Sequence, residues 1–302
     1  MRALLWVSVV AFGAAVAYLV IGYVVAARLS APAHQPVERT PADVGLDYRE
    51  VGFRSTDGIP LKAWWIGKGG SSRAALLVHG FGGDKSDPHI VETARVYHRE
   101  GFNVLMLDLR ANGESEGKRV TLGYQEVRDV RAALSWLEGR GFDPPSVVLH
   151  GWSMGGAAVV RAAPGTGVAA VLEEAGYADL PPLLREQLPE ASGLPAFFNP
   201  GMFLMGKVFL DIDPWAVRPK EEARRLSEEG VPFMIIHSRD DGAIPFEHAE
   251  SFAAAYPDAV FWELQGYDHV AAYTHPEYRE RLVSFLDEAA TSASKEPQES
   301  GD

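Results

Sequence analysis

The chain has 302 residues, with 28 Lys and Arg against 41 Asp and Glu, nine His and no Cys. A formal net charge of −13 excludes the basic footprint that phosphate backbones require, so no nucleic-acid partner is expected. The absence of Cys excludes disulfides, thiolate metal sites and a cysteine nucleophile, and 47% hydrophobic with 23% charged residues is the composition of a folded chain with a core.

The first element is apolar throughout. Ala3 to Ala27 is a run of 25 residues without a charge, bounded by Arg2 and Arg28. As a helix it is about 37 Å long, against about 30 Å of bilayer hydrocarbon, and it lacks the polar stripe of a soluble helix. Residues 1–29 therefore read as a transmembrane anchor, with residues 3–27 in contact with lipid. A cleaved signal peptide is the rival reading, since Ala31-Pro32-Ala33 offers small residues for cleavage. The apolar region is longer than the roughly 7–15 residues of such signals, which favours the uncleaved anchor. Arg2 favours an N-inside orientation, with the rest of the chain outside the cytoplasm, and Arg28 and Arg39 nearly cancel that bias.

Residues 30–46 contain Pro32, Pro36 and Pro41 and little apolar periodicity, and read as a tether. The polar segment 291–302 reads as a disordered tail. Between them, residues 47–290 form one domain. The runs 48–54 and 59–66 flank Thr56-Asp57-Gly58, a hairpin signal. Six compact apolar runs follow, at 74–78, 104–108, 146–150, 168–172, 232–237 and 260–264, each typical of a buried strand. Helical patterns at 90–100, 123–138, 154–163, 245–256 and 276–289 separate them. An antiparallel opening followed by strand–helix alternation predicts an α/β domain with a mainly parallel, doubly wound sheet of eight strands.

One stretch breaks the alternation. Residues 177–230 are Pro-rich and carry an apolar cluster with Phe197, Phe198, Met202, Phe203 and Met205. An insertion of this length reads as a cap. Its Phe and Met side chains are expected to wall a substrate pocket, and a helical excursion with its own small core is the alternative reading.

The chemistry begins at Gly151-Trp152-Ser153-Met154-Gly155, directly after the apolar run 147–149 and directly before a helical pattern. A serine on so sharp a strand-to-helix turn needs small residues two positions away on each side, and its hydroxyl then faces the helix N-terminus, where developing negative charge is favoured. Serine is a weak nucleophile without a base, so a His and an orienting acid must follow. His237 closes a strand run and is followed by Asp240, Asp241, Ile244 and Pro245; the next run is followed by Asp268-His269.

At this point the sequence resembles the α/β-hydrolase family, in its esterase- and lipase-like branch, over about residues 47 to 288. His79-Gly80-Phe81-Gly82-Gly83 resembles the family's oxyanion loop, Asp108-x-Arg110-x-x-Gly113-x-Ser115 its D-x-R-x-x-G-x-S turn, and His237-x3-Asp241-x2-Ile244-Pro245 its acid loop. The resemblance implies an α/β-hydrolase fold with an inserted cap, and a serine hydrolase cleaving carboxylic esters through an acyl-enzyme. Ser153 would be the nucleophile, Asp241 the acid and His269 the base, with the Phe81 and Met154 amides as the oxyanion hole. Asp240 is the close rival to Asp241, and Glu173 and Glu174, after another strand, are further alternatives. Phe81 and Trp152 could wall the acyl pocket or simply pack. His275 precedes Pro276 and is a less suitable base, and the remaining histidines read as structural.

A small-molecule ester is the expected substrate, apolar or of medium acyl length if the Phe and Met side chains of the cap wall the acyl site, with an acyl peptidase, a thioesterase or a catalytically silent anchored binding protein as alternatives. No cofactor or metal is expected: Gly80-Phe-Gly82-Gly83-Asp-Lys85 lacks the last glycine of a dinucleotide fingerprint, Gly117-Lys118 is followed by Arg119, and there is no His-Glu-x-x-His.

Overall fold

A computed structural model describes residues 2–37 and 39–293. Eight strands form one sheet: β1 (Arg49–Arg54), β2 (Pro60–Ile66), β3 (Ala74–Val78), β4 (Asn103–Leu107), β5 (Val147–Trp152), β6 (Ala170–Glu174), β7 (Phe233–Ser238) and β8 (Val260–Leu264). Their order across the sheet is β1-β2-β4-β3-β5-β6-β7-β8. β1 and β2 pair antiparallel, as do β2 and β4, and every other pair is parallel. This is the doubly wound, mainly parallel sheet expected from the strand runs.

Each central strand is apolar on both faces because helices cover both. Leu76, Val78, Leu105, Leu107 and Leu149 pack toward α3 (Glu126–Glu138), α4 (Met154–Ala162), α7 (Pro219–Glu228) and α8 (Glu247–Ala255). Their neighbours at alternate positions, Leu77, Val104, Met106, Val148 and Leu172, pack toward α2 (Pro88–Arg99) and α9 (Tyr278–Ala293). α9 runs three residues into the segment read as a tail, and the rest of that segment lies outside the described residues.

The stretch 177–230 divides. α5 (Leu180–Ser192) and α6 (Asn199–Phe209) form the cap, whereas α7 buries Ala223 and Leu226 in the main core. The first helix, α1 (Arg2–Leu29), is long and apolar enough to cross a bilayer, and its C-terminal part docks on the cap. Leu188, Met202 and Phe203 form a small core with Val25, Ala26, Leu29 and Phe198. Met202, Phe203 and Phe198, expected to wall a substrate pocket, therefore pack against α1. The reason is proximity: an apolar helix delivered beside the cap covers its apolar side first.

Residues 30–37 and 39–46, part of the segment read as a tether, lie along the main domain. The Ala33 amide donates to Ala111 O at 2.8 Å, the Val120 amide to Ser30 O at 3.0 Å, and His34 Nδ1 to Gly113 O at 2.8 Å. Pro41 and Leu46 are buried. Part of this hold is main-chain to main-chain, and that part leaves no sign in the side-chain pattern.

Candidate active site

The sharp turn after β5 places Ser153 at φ 53° and ψ −119°. A left-handed φ on a non-glycine residue is strained by about 1–3 kcal/mol, and here packing imposes it. A Cβ on Gly155 would lie 2.1 Å from Val78 O, so only glycine lets the start of α4 press against the end of β3. The Ser153 amide donates to Glu174 O at 2.8 Å, which ties the turn to β6. The serine side chain is half-buried, and its hydroxyl has no hydrogen-bond partner among the described residues.

The loop after β3 approaches from above. A Cβ on Gly80 would come within 3.0 Å of Ser153 Cβ and 3.6 Å of its Oγ, so this glycine lets the loop main chain lie beside the hydroxyl. The amides of Phe81 and Met154 take no hydrogen bond among the described residues. Two free donors beside a hydroxyl are what an oxyanion site requires. The loop is braced from below. Lys85 donates its amide to Asp108 Oδ1 at 2.8 Å, and its buried ammonium lies 2.5 Å from Asp108 Oδ2 and 2.6 Å from Glu114. Burial opposes the charge on Lys85, yet the two carboxylates outweigh it and raise its pKa. The turn at Asp108–Ser115, which matches the motif noted in the sequence, thus props the loop after β3.

The structure brings the candidate acid and base, Asp241 and His269, together. His269 Nδ1 donates to Asp241 Oδ2 at 2.8 Å, while Asp241 Oδ1 accepts the Ala243 and Ile244 amides at 2.8 Å each. Burial works to raise the Asp241 pKa, but the His269 contact and these amides hold it below the usual carboxylate range. The second ring nitrogen of His269, Nε2, has no hydrogen-bond partner among the described residues. Asp240 turns away, accepting the Gly266 amide at 2.6 Å in solvent. His275 accepts the Glu277 amide at 3.1 Å and packs on Trp262 and Tyr267.

Glu173 and Glu174 do not bond the His269 ring, and their positions show a different use. Glu174 accepts the Trp152 indole N–H at 2.9 Å through Oε2 and the Ala272 amide at 3.1 Å through Oε1. One buried carboxyl therefore joins the serine turn to the loop that carries His269. Burial pushes its pKa up to about 7, partly countered by those two donors. Glu173 accepts the Gly176 amide at 2.7 Å, and burial drives its pKa well up. Trp152, a candidate wall of the acyl pocket, is fully buried and stacks on His150 with ring centroids 4.0 Å apart, whereas Phe81 is exposed. Consecutive acids closing an apolar strand were the one sequence sign of this linkage. Among the described residues no group of three His, Cys, Asp or Glu side chains could hold a metal ion.

Comparison with known proteins bears on what this arrangement is. Residues 75–282 match the family described as the alpha/beta hydrolase family. The uncharacterized protein YfhR of Escherichia coli O157:H7 is 27% identical over 250 residues, 78% of this chain and 79% of the relative. The thiohydrolase aneE of Aspergillus aculeatus is 32% identical over 120 residues, covering 38% of this chain and 37% of the relative. Among solved structures, the esterase Pf2001 of Pyrococcus furiosus superposes with a TM-score of 0.69 at 22% identity, over 85% of this chain and 98% of that one. Sheet order, the turn at Ser153 and the family match agree: this chain belongs to the α/β-hydrolase family.

Proposed function

We propose that this protein is a membrane-anchored serine hydrolase that cleaves carboxylic esters. The observation that carries the reading is the 2.8 Å bond from His269 Nδ1 to Asp241, with Ser153 on its strained turn beside two free amides. Ser153 Oγ bonds to the ester carbonyl carbon while its proton passes to His269 Nε2. The Phe81 and Met154 amides take the charge that develops on the carbonyl oxygen, a contribution of about 3–4 kcal/mol per donor. Asp241 fixes the ring tautomer and stabilises the imidazolium. Collapse breaks the ester C–O bond, and His269 returns its proton to the departing alcohol. Water then attacks the acyl-enzyme, giving its proton to His269; the bond from the acyl carbon to Ser153 Oγ breaks, His269 returns the proton to Oγ, and the acid is released.

Thioester cleavage runs on the same groups, and the similarity to the thiohydrolase aneE favours testing a thioester beside the oxygen ester. The experiment is hydrolysis of p-nitrophenyl esters of increasing acyl length, and of acyl thioesters, by the full chain and by Ser153→Ala. The reading expects turnover of at least one of these substrates, and its disappearance in Ser153→Ala. A folded Ser153→Ala that keeps the wild-type rate overturns it, as does a folded wild type that turns over none of these substrates.

A further inference from the structure

α1 does not stand clear of the domain. Gly22 crosses α6 at Gly201: a Cβ on Gly22 would lie 2.7 Å from the Gly201 carbonyl carbon, and one on Gly201 would lie 2.7 Å from the Tyr18 ring. The Tyr18 hydroxyl donates to Phe197 O at 2.9 Å and accepts the Gly201 amide at 3.0 Å. Its ring stacks on Phe198, and the Tyr23 ring meets Phe209 edge-on.

The lengths then conflict with a bilayer that stops short of the cap. The apolar run begins after Arg2, so Ala3–Ala17 is the part that precedes the contact with α6 at Tyr18. Fifteen helical residues span about 22 Å, whereas the hydrocarbon core is about 30 Å thick and needs about 20 residues. Twenty residues from Ala3 end at Gly22, the point where α1 crosses α6. A bilayer that covers α1 must therefore also reach α6.

The outer side of α6 matches that demand. Leu204, Val208 and Phe209 are exposed there, with Phe197 just before the helix, and Lys207 is the only charged residue in α6. Lys207 folds back to Asp213 at 2.7 Å beside the exposed Trp215, as a cation and an aromatic ring do at a headgroup boundary. Between the two helices runs a groove of about 370 Å³ lined by Val16, Leu19, Val20, Tyr23, Met205 and Phe209 and by no polar atom. Water gains nothing in such a groove, whereas lipid chains fill it.

We propose that the outer face of α6 is a second membrane-contacting surface, seated in the same leaflet as the C-terminal half of α1, so that the cap is held in the bilayer. The proposal rests on α1 being a membrane anchor and extends the contact beyond residues 3–27. With a net charge of −13 the seating is apolar, so zwitterionic lipid suffices.

The chain lacks Cys, so single labels can be placed at will. Full-length Val9→Cys, Leu204→Cys, Val208→Cys and Asp258→Cys, each carrying an environment-sensitive fluorophore, are reconstituted in phosphatidylcholine vesicles brominated at defined chain depths. Val9 reports the anchor, and Asp258 is exposed before β8, at the sheet end opposite the cap. The proposal expects blue-shifted emission and bromine quenching at positions 9, 204 and 208, strongest for shallow bromines at 204 and 208, and none at 258. Quenching at 9 without quenching at 204 and 208 overturns the cap surface and leaves the anchor standing. A blue shift at 204 and 208 without bromine quenching puts a protein surface there, such as a second copy, and also overturns it. No quenching at 9 overturns the anchor and this proposal together.

Discussion

Trp152 donates its indole N–H to Glu174 at 2.9 Å, and the same carboxyl accepts the Ala272 amide at 3.1 Å. The residue before the candidate nucleophile is thereby connected to the loop of the candidate base through one buried side chain. Replacing Trp152 with Phe keeps the stacking on His150 and deletes only the donor. We expect a loss of about 1–3 kcal/mol of stability, the cost of leaving a buried polar group short of a partner. We also expect a fall in kcat larger than the change in KM, because the turn and the His269 loop lose their common support. Thermal melts and ester kinetics on the variant check both; unchanged kinetics at lowered stability would make the contact purely structural.

The two neighbouring acids should separate cleanly. Asp241→Asn places an amide against His269 Nδ1 and should lower kcat on the order of 10⁴-fold, with the fold intact. Asp240→Asn loses only an exposed contact to the Gly266 amide and should change kcat little. Steady-state rates on one activated ester decide the matter, and the reverse ranking moves the acid to Asp240.

Acid stability should depend on buried histidines that pack on Trp152. His89 and His150 are buried, and burial lowers each pKa to about 3, against 6.5 when unfolded. Below pH 6.5 the unfolded chain takes up protons that the folded chain refuses. Stability is therefore lost as pH falls from about 6.5 toward 3, by up to about 1.4 kcal/mol per pH unit for each histidine. His150→Phe keeps the ring stack on Trp152 and removes one of these titrating groups. Melting temperatures between pH 4 and 7 should fall less steeply in His150→Phe than in the wild type.

Deleting α1 should do more than release the protein from a membrane. A chain beginning at Ala31 uncovers Leu188, Met202 and Phe203, which Val25, Ala26 and Leu29 cover in the full chain. We expect this truncation to melt at a lower temperature and to self-associate in size-exclusion chromatography. Changing Met202 and Phe203 to Ser in the truncated chain should reduce the association.

How much of this was legible in the sequence depended on where the information lay. Runs such as 74–78 and 260–264 became strands with the same bounds, because an apolar run between turn signals has few other outcomes. Ser153 was marked by glycines whose need is local, and Asp241 by its spacing from His237 and Pro245. The partner of the Phe- and Met-rich cluster was not legible. Composition declares that Met202 and Phe203 want cover, but α1, nearly 180 positions away, competes with the site to provide it. The main-chain part of the hold on residues 30–37 escaped for another reason, since the bond from the Ala33 amide to Ala111 O leaves no trace in side-chain type. Glu174 was visible as an acid after a strand, yet its two donors come from different parts of the chain.

The central claim is that Ser153 is a nucleophile activated by His269 and Asp241. The most direct measurement is labelling of the full-length protein with a fluorophosphonate probe, followed by mass spectrometry of the modified peptide. The account predicts a single adduct on Ser153, absent from a folded Ser153→Ala and strongly slowed in Asp241→Asn. A folded wild type that takes no label, or a Ser153→Ala variant labelled as fast as wild type, would contradict it.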